Sequence, residues 1–202
     1  ENLPVAYEDG KNVQAREKMA LASTYAGLAF TRANVGYVHA IAHQFGGLYH
    51  TPHGLANAIM LPHVLDYSAP AAIPQLARLA ERAGLGADGD DEATLAHKFI
   101  DGVRALNARL NIPTTLEALR EEDIPALAAA ACQEALIGYP VPRYMDQATC
   151  EAIIRKVLPG PKARTAAKAS TPTPAKAAAK RKPAAPKAPS SKTASRKTAK
   201  AA

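Results

Sequence analysis

The chain has 202 residues, a formal net charge of +7 and only 5% aromatic residues. The charge is concentrated at one end: residues 161–202 hold 12 of the 25 Lys and Arg residues and none of the 18 acidic ones, so residues 1–160 carry a net charge of −5 (13 basic, 18 acidic). The acidic part is long enough for a domain with its own core. No apolar stretch approaches the length that spans a bilayer and nothing resembles a secretory signal, which leaves the cytoplasm as the expected compartment.

Residues 12–33 read as a helix, with Met19, Ala22, Tyr25, Ala26 and Ala29 on one stripe and Arg16, Glu17 and Lys18 near its start. A second helix follows Gly36 and is expected to end at Gly46-Gly47, where the glycines let the backbone turn tightly. Thr51 is a good N-cap and Pro52 suits the first position of the next helix, 52–66, whose Ala, Leu, Ile and Met residues predict burial on most sides. A helix over 71–83 stops at Gly84. The segment GLGADGDDE is a polar loop, and Asp91 caps a helix running to about Leu110. A turn at 114–119, a helix from about Ile124 to Ile137 and a last one after Asp146 complete the series. No alternating run of β-branched residues argues for a strand, so the fold class is all-α, an antiparallel helical bundle. Cys132 and Cys150 lack a Cys-x-x-Cys spacing and read as small buried hydrophobes.

Five of the six histidines fall within residues 34–65. His39 and His43 are four apart and share a helix face, while His53 lies on the first turn of the following helix. Taken singly, each reads as a hydrogen-bonded core residue. Together they also fit a pocket in which imidazoles from two adjoining helices grip a divalent transition metal. His39-Ala-Ile-Ala-His43 lacks the glutamate of the metalloprotease pattern. His50 takes a surface or supporting place, His63 a helix-packing one, and His97 sits on a charged helix and is solvated. The acidic run Asp88–Glu92 lacks the ligand spacing of an EF-hand and reads as a solvated loop with a helix cap. Phe45 and Tyr49 serve equally as pocket walls or as packing between helices.

The run GYVHAIAHQFGGLYHTPHGLANAIMLPHV resembles the signature of the iron-containing (group III) alcohol dehydrogenases, and the likeness continues through LNIPTTLEAL at 110–119 and into the last helix near residue 157. Thr-Pro-His-Gly is closer to those enzymes than to the related maleylacetate reductases. The resemblance covers most of residues 1–158 and implies the C-terminal helical domain of such an enzyme. It implies one divalent metal, Fe2+ with Zn2+ as the alternative, held in the family by an aspartate and three histidines. Two of these match His39 and His53. A further family histidine, near the nicotinamide and the alcohol, matches His43, as a proton relay or a nicotinamide-orienting group. Gly54 is expected to let the backbone approach the pocket. The implied reaction is NAD- or NADP-linked interconversion of an alcohol and an aldehyde by hydride transfer.

The departures from the pattern also matter. No Asp-x-x-x-His pair precedes residue 39: Asp9 is the only aspartate before it, and position 13 is Val13. The glycine-rich phosphate loop and the nucleotide-binding domain are not in the chain either, and the first residue is Glu1 rather than methionine. The chain is therefore expected to be a fragment or truncated product that is not a competent dehydrogenase alone, although it can form homo-oligomers.

The segment 159–202 is Lys/Ala/Pro-rich and histone-like, with no aromatic or large aliphatic side chain beyond residue 160. It cannot bury enough apolar surface to offset chain entropy and is expected to be disordered. Its charge suits nonspecific binding to DNA or another polyanion by counterion release, without base stacking. A flexible solubilising tail is the other reading, and a surviving interaction module is a third role for the helical domain.

Overall fold

A computed structural model describes residues 1–160. Eight helices follow in chain order: α1 (Asn2–Glu8), α2 (Val13–Ala33), α3 (Tyr37–Tyr49), α4 (His53–Ser68), α5 (Ile73–Arg82), α6 (Glu92–Arg109), α7 (Ile124–Gly138) and α8 (Gln147–Arg155), with short 3₁₀ turns at Ala69–Ala71 and Glu121–Asp123. Among the described residues there is no strand, so the all-α expectation holds. No helix among them is long and apolar enough to cross a membrane. The basic segment 161–202 lies outside the described residues.

Local chemistry sets several boundaries. Asn12, Asp91 and Asp146 accept the backbone N–H of Ala15 (3.0 Å), Thr94 (2.7 Å) and Thr149 (2.8 Å), each satisfying a donor that the first helical turn leaves free. Gly84, just beyond α5, has φ +69°, a left-handed conformation that costs glycine nothing.

The main core lies between α3, α4, α7 and α8, built from Ile41, Phe45, Met60, Leu127, Ile153 and Ile154 among others. The connection before α7 joins it: Leu116 and Leu119 are buried, and the Leu116 N–H donates to the Val157 carbonyl at 2.8 Å. A second apolar layer joins α5 to α6 through Leu76, Ala77, Ala80, Leu95, Ala96 and Ile100. Helix α3 is thus the central strut of the larger core, with Ile41 and Phe45 fully buried on it. Phe45 belongs to helix packing, not to a pocket wall. Tyr49 also packs against the core, and its hydroxyl donates to Asp123 Oδ2 at 2.8 Å.

Four local expectations need correction. The helix carrying His39 and His43 does not end at Gly46-Gly47; both glycines are helical, and the reversal is made by His50, whose φ of 55° places it in the left-handed region while its N–H donates to the Gly46 carbonyl at 3.0 Å. Packing of the α3 face carries the helix past the glycines, and it stops where a terminal residue can adopt the left-handed cap. Helix α4 begins at His53 with Pro52 at the cap position, and Thr51 makes no capping hydrogen bond. Pro52 keeps an extended ψ of 130°, so the helix starts one residue later than the Thr51 cap would place it. On α2 only Ala15 is buried; Tyr25 is 62% and Phe30 55% exposed, so the stripe expected along Met19 to Ala29 is not a core face here. Helix α1, too short for a periodic pattern to reveal, was not expected at all.

Candidate metal centre

Helix α3 brings His39 and His43 to one face, one turn apart, and α4 delivers His53 at its first residue. The three imidazoles converge. The ring centroids of His39 and His53 are 5.3 Å apart, those of His43 and His53 also 5.3 Å with the planes within 20°, and those of His39 and His43 5.9 Å with an edge-on arrangement. Burial and the neighbouring His53 and His43 rings lower the pKa of His39, and Glu134 partly offsets them. A neutral imidazole is the form that can coordinate a metal.

Each of the other two rings has a polar partner. His43 Nδ1 lies 2.6 Å from Glu134 Oε1 on α7. The same carboxylate accepts the Tyr139 hydroxyl at 2.7 Å and the Gln44 side-chain amide at 2.9 Å, so three donors converge on it. The Tyr139 phenol is pushed up in pKa, first by this hydrogen bond to Glu134 and then by burial. On α4, the Asn57 amide lies 3.0 Å from His53 Nε2 and also donates to the His53 backbone carbonyl at 2.9 Å, while Asn57 Oδ1 is buried without a partner.

Two imidazoles on one tetrahedral ion, with metal–nitrogen bonds of about 2.0–2.1 Å, place their ring centroids roughly 5 Å apart. The 5.3 Å spacing of His39 and His53 fits that geometry. The pair does not make a complete site: among the described residues no group of three His, Cys, Asp or Glu side chains could hold a metal ion. The donor set present therefore fits two positions of a coordination sphere and leaves the others unfilled.

Other sequence candidates separate cleanly. His50 is an exposed helix cap, His97 is exposed on α6, and His63 sits half-buried on α4 with its pKa lowered by desolvation and by Lys156. A Cβ on Gly54 would meet nothing within 4 Å, so no close backbone approach depends on that glycine. In the acidic loop, Asp90 is held by Lys98 Nζ and by the Ala87 N–H, both at 2.6 Å, and Asp91 is spent as the cap of α6. Burial raises the pKa of both cysteine thiols, Cys150 far more, which disfavours thiolate chemistry. Sequence reading missed Glu134 and Asn57. Asn57 carried a local signal, four residues after His53 on one helix, whereas Glu134 is 91 residues from His43 and only the α3–α7 packing brings it close.

The model of the Fe-containing alcohol dehydrogenase family, C-terminal, matches residues 1–158. The chain belongs to that family. It is 42% identical over 159 residues to 1,3-propanediol dehydrogenase of Klebsiella pneumoniae, covering 78% of this chain and 41% of that protein. Alcohol dehydrogenase 4 of Saccharomyces cerevisiae is 40% identical over 161 residues, with 77% and 40% covered. A solved 1,3-propanediol oxidoreductase superposes with a TM-score of 0.74 at 41% identity, again covering 78% of this chain and 41% of that one. This iron-dehydrogenase domain thus spans about two-fifths of the length of the curated relatives it matches.

Proposed function

We propose that residues 1–158 act as the helical, metal-gripping domain of an NAD(P)-linked alcohol dehydrogenase. In this reading His39 and His53 supply two metal ligands, and His43 handles the alcohol proton or orients the nicotinamide. The observation that carries it is the 5.3 Å convergence of the His39 and His53 rings from two different helices. Family membership supports the reaction class, alcohol and aldehyde oxidoreduction.

A divalent ion, Fe2+ by family and Zn2+ by ligand chemistry, supplies Lewis-acid polarisation of the substrate oxygen when bound. The chain's own residues do the rest of the work assigned to this domain. His39 stays neutral because burial and its neighbouring rings disfavour the charged form, so its nitrogen lone pair is available for coordination. In this reading His43, stacked on His53, is the group that accepts the proton leaving the alcohol, and its place beside the two ligand histidines supports the role. In this reading the remaining metal ligands come from outside residues 1–160, since no group of three donor side chains that could hold a metal is found among the described residues.

The test supplies metal, NAD and a nucleotide-binding partner domain in trans, with 1,3-propanediol as the first alcohol. Reconstituted oxidation that His39→Ala abolishes is the expected outcome; activity surviving that substitution refutes the ligand role. The chain alone, loaded with metal, is expected to turn over no alcohol.

The 12 basic and no acidic residues of 161–202 support a second activity, nonspecific binding of nucleic acid. Deleting that segment is expected to remove DNA binding and leave helical content unchanged, and the affinity of the full chain should fall steeply with salt. DNA affinity that persists in the truncated chain places the binding element elsewhere.

A further inference from the structure

We propose that Glu134 is the positioning residue of His43, holding its ring in the Nδ1–H tautomer so that Nε2 is the nitrogen free to accept a proton. The inference rests on the reading of His43 as the proton-handling group, and it adds a residue from a different helix to that site.

The hydrogen-bond inventory carries the first step. An ionised carboxylate has acceptors only, so a 2.6 Å contact between Glu134 Oε1 and His43 Nδ1 requires the imidazole nitrogen to donate. In a neutral imidazole one nitrogen carries the proton and the other accepts, so a proton held on Nδ1 leaves Nε2 as the lone-pair nitrogen. An imidazole base oriented by a third group through its far nitrogen is a recurring catalytic arrangement.

The second step is the rigidity of the clamp. Glu134 Oε1 also accepts the Tyr139 hydroxyl at 2.7 Å, and Oε2 accepts Gln44 Nε2 at 2.9 Å. Gln44 is the residue after His43, and its amide also donates to the Ala40 carbonyl at 3.1 Å, so the clamp is anchored to the backbone of α3. A carboxylate with three donors in place has little freedom to leave His43. A surface ion pair of the ordinary kind has no such cradle. The stacking of His43 on His53, with planes within 20°, fixes the ring from its other side.

The test is nitrogen-15 NMR of the full chain labelled at histidine, read on the neutral His43 ring. A charge-assisted hydrogen bond biases the two tautomers by about tenfold or more, so the wild type should show the proton almost wholly on Nδ1. Glu134→Ala should shift the ratio towards Nε2–H by about tenfold, and the isosteric, uncharged Glu134→Gln should lie between the two. Circular dichroism confirms that each variant keeps its helices; if Glu134→Ala does not fold, the wild-type tautomer and Glu134→Gln still decide. A wild-type proton on Nε2, or a ratio unchanged in the variants, overturns the assignment. In a reconstituted dehydrogenase, Glu134→Gln should lower kcat and leave the KM for alcohol unchanged, and a change confined to KM counts against positioning. Failure to reconstitute any turnover refutes the proposed activity but leaves the tautomer measurement standing, so the two ideas fail separately.

Discussion

Phe45→Ala separates the two roles that the sequence left open for this ring. The side chain is fully buried on α3, in the same core as Ile41, Met60 and Ile154, and its ring centroid lies 6.5 Å from that of Tyr49. Truncation removes the aromatic ring and leaves a cavity on α3, whose packing against both α4 and α7 keeps the gap from closing fully. The expected cost is about 3–5 kcal/mol, the usual range for buried Phe→Ala changes. That is a large share of the roughly 5–15 kcal/mol that stabilises an ordinary domain. Urea unfolding followed by circular dichroism measures it, with the midpoint displaced at constant slope. Phe45→Leu should cost far less, because it keeps most of the volume. A cost for Phe45→Ala below about 1 kcal/mol would show that the site is not tightly packed and would refute the placement of α3 as the central strut.

Tyr49→Phe should destabilise by about 1 kcal/mol, since it removes the part-buried hydrogen bond donated to Asp123 at 2.8 Å and the longer one accepted from the Arg120 N–H at 3.4 Å. Burial first, and then the hydrogen bond to Asp123, pushes the Tyr49 phenol up to about 12, so its contribution is present below pH ~10 and is lost as pH rises towards that value. Spectrophotometric titration should show one late phenol that disappears in Tyr49→Phe. Asp91→Ala should destabilise the chain and fray the start of α6, read as faster amide exchange at Thr94. His63 has its pKa lowered, chiefly by desolvation and then by Lys156, so the folded chain binds the proton less well than the unfolded one. Stability should therefore fall as pH drops below ~6.5, and His63→Gln should flatten part of that fall; a profile unchanged in the variant removes His63 from the account.

Much of the fold was legible because the signals were local. Asp91 announced its helix by cap chemistry, and the structure places its side chain on the Thr94 N–H that the cap serves. The spacing of His39, His43 and His53 predicted a shared pocket, and the rings do converge. What failed depended on tertiary context. The Gly46-Gly47 pair looked like a turn, yet packing against α4 and α7 keeps both helical and moves the reversal to His50. The apolar stripe of α2 showed the right period for a core helix, but periodicity cannot say what covers a face, and most of it is exposed. Glu134 was invisible for a related reason: a contact across 91 residues leaves no mark in local spacing.

Titration of the full chain with Zn2+ by calorimetry, for the wild type and for His39→Ala and His53→Ala, tests the half-site most directly. Weak binding that falls by at least about tenfold when either imidazole is removed is the expected result, because each ligand is half of what this domain offers. Affinity indifferent to both substitutions would contradict the account.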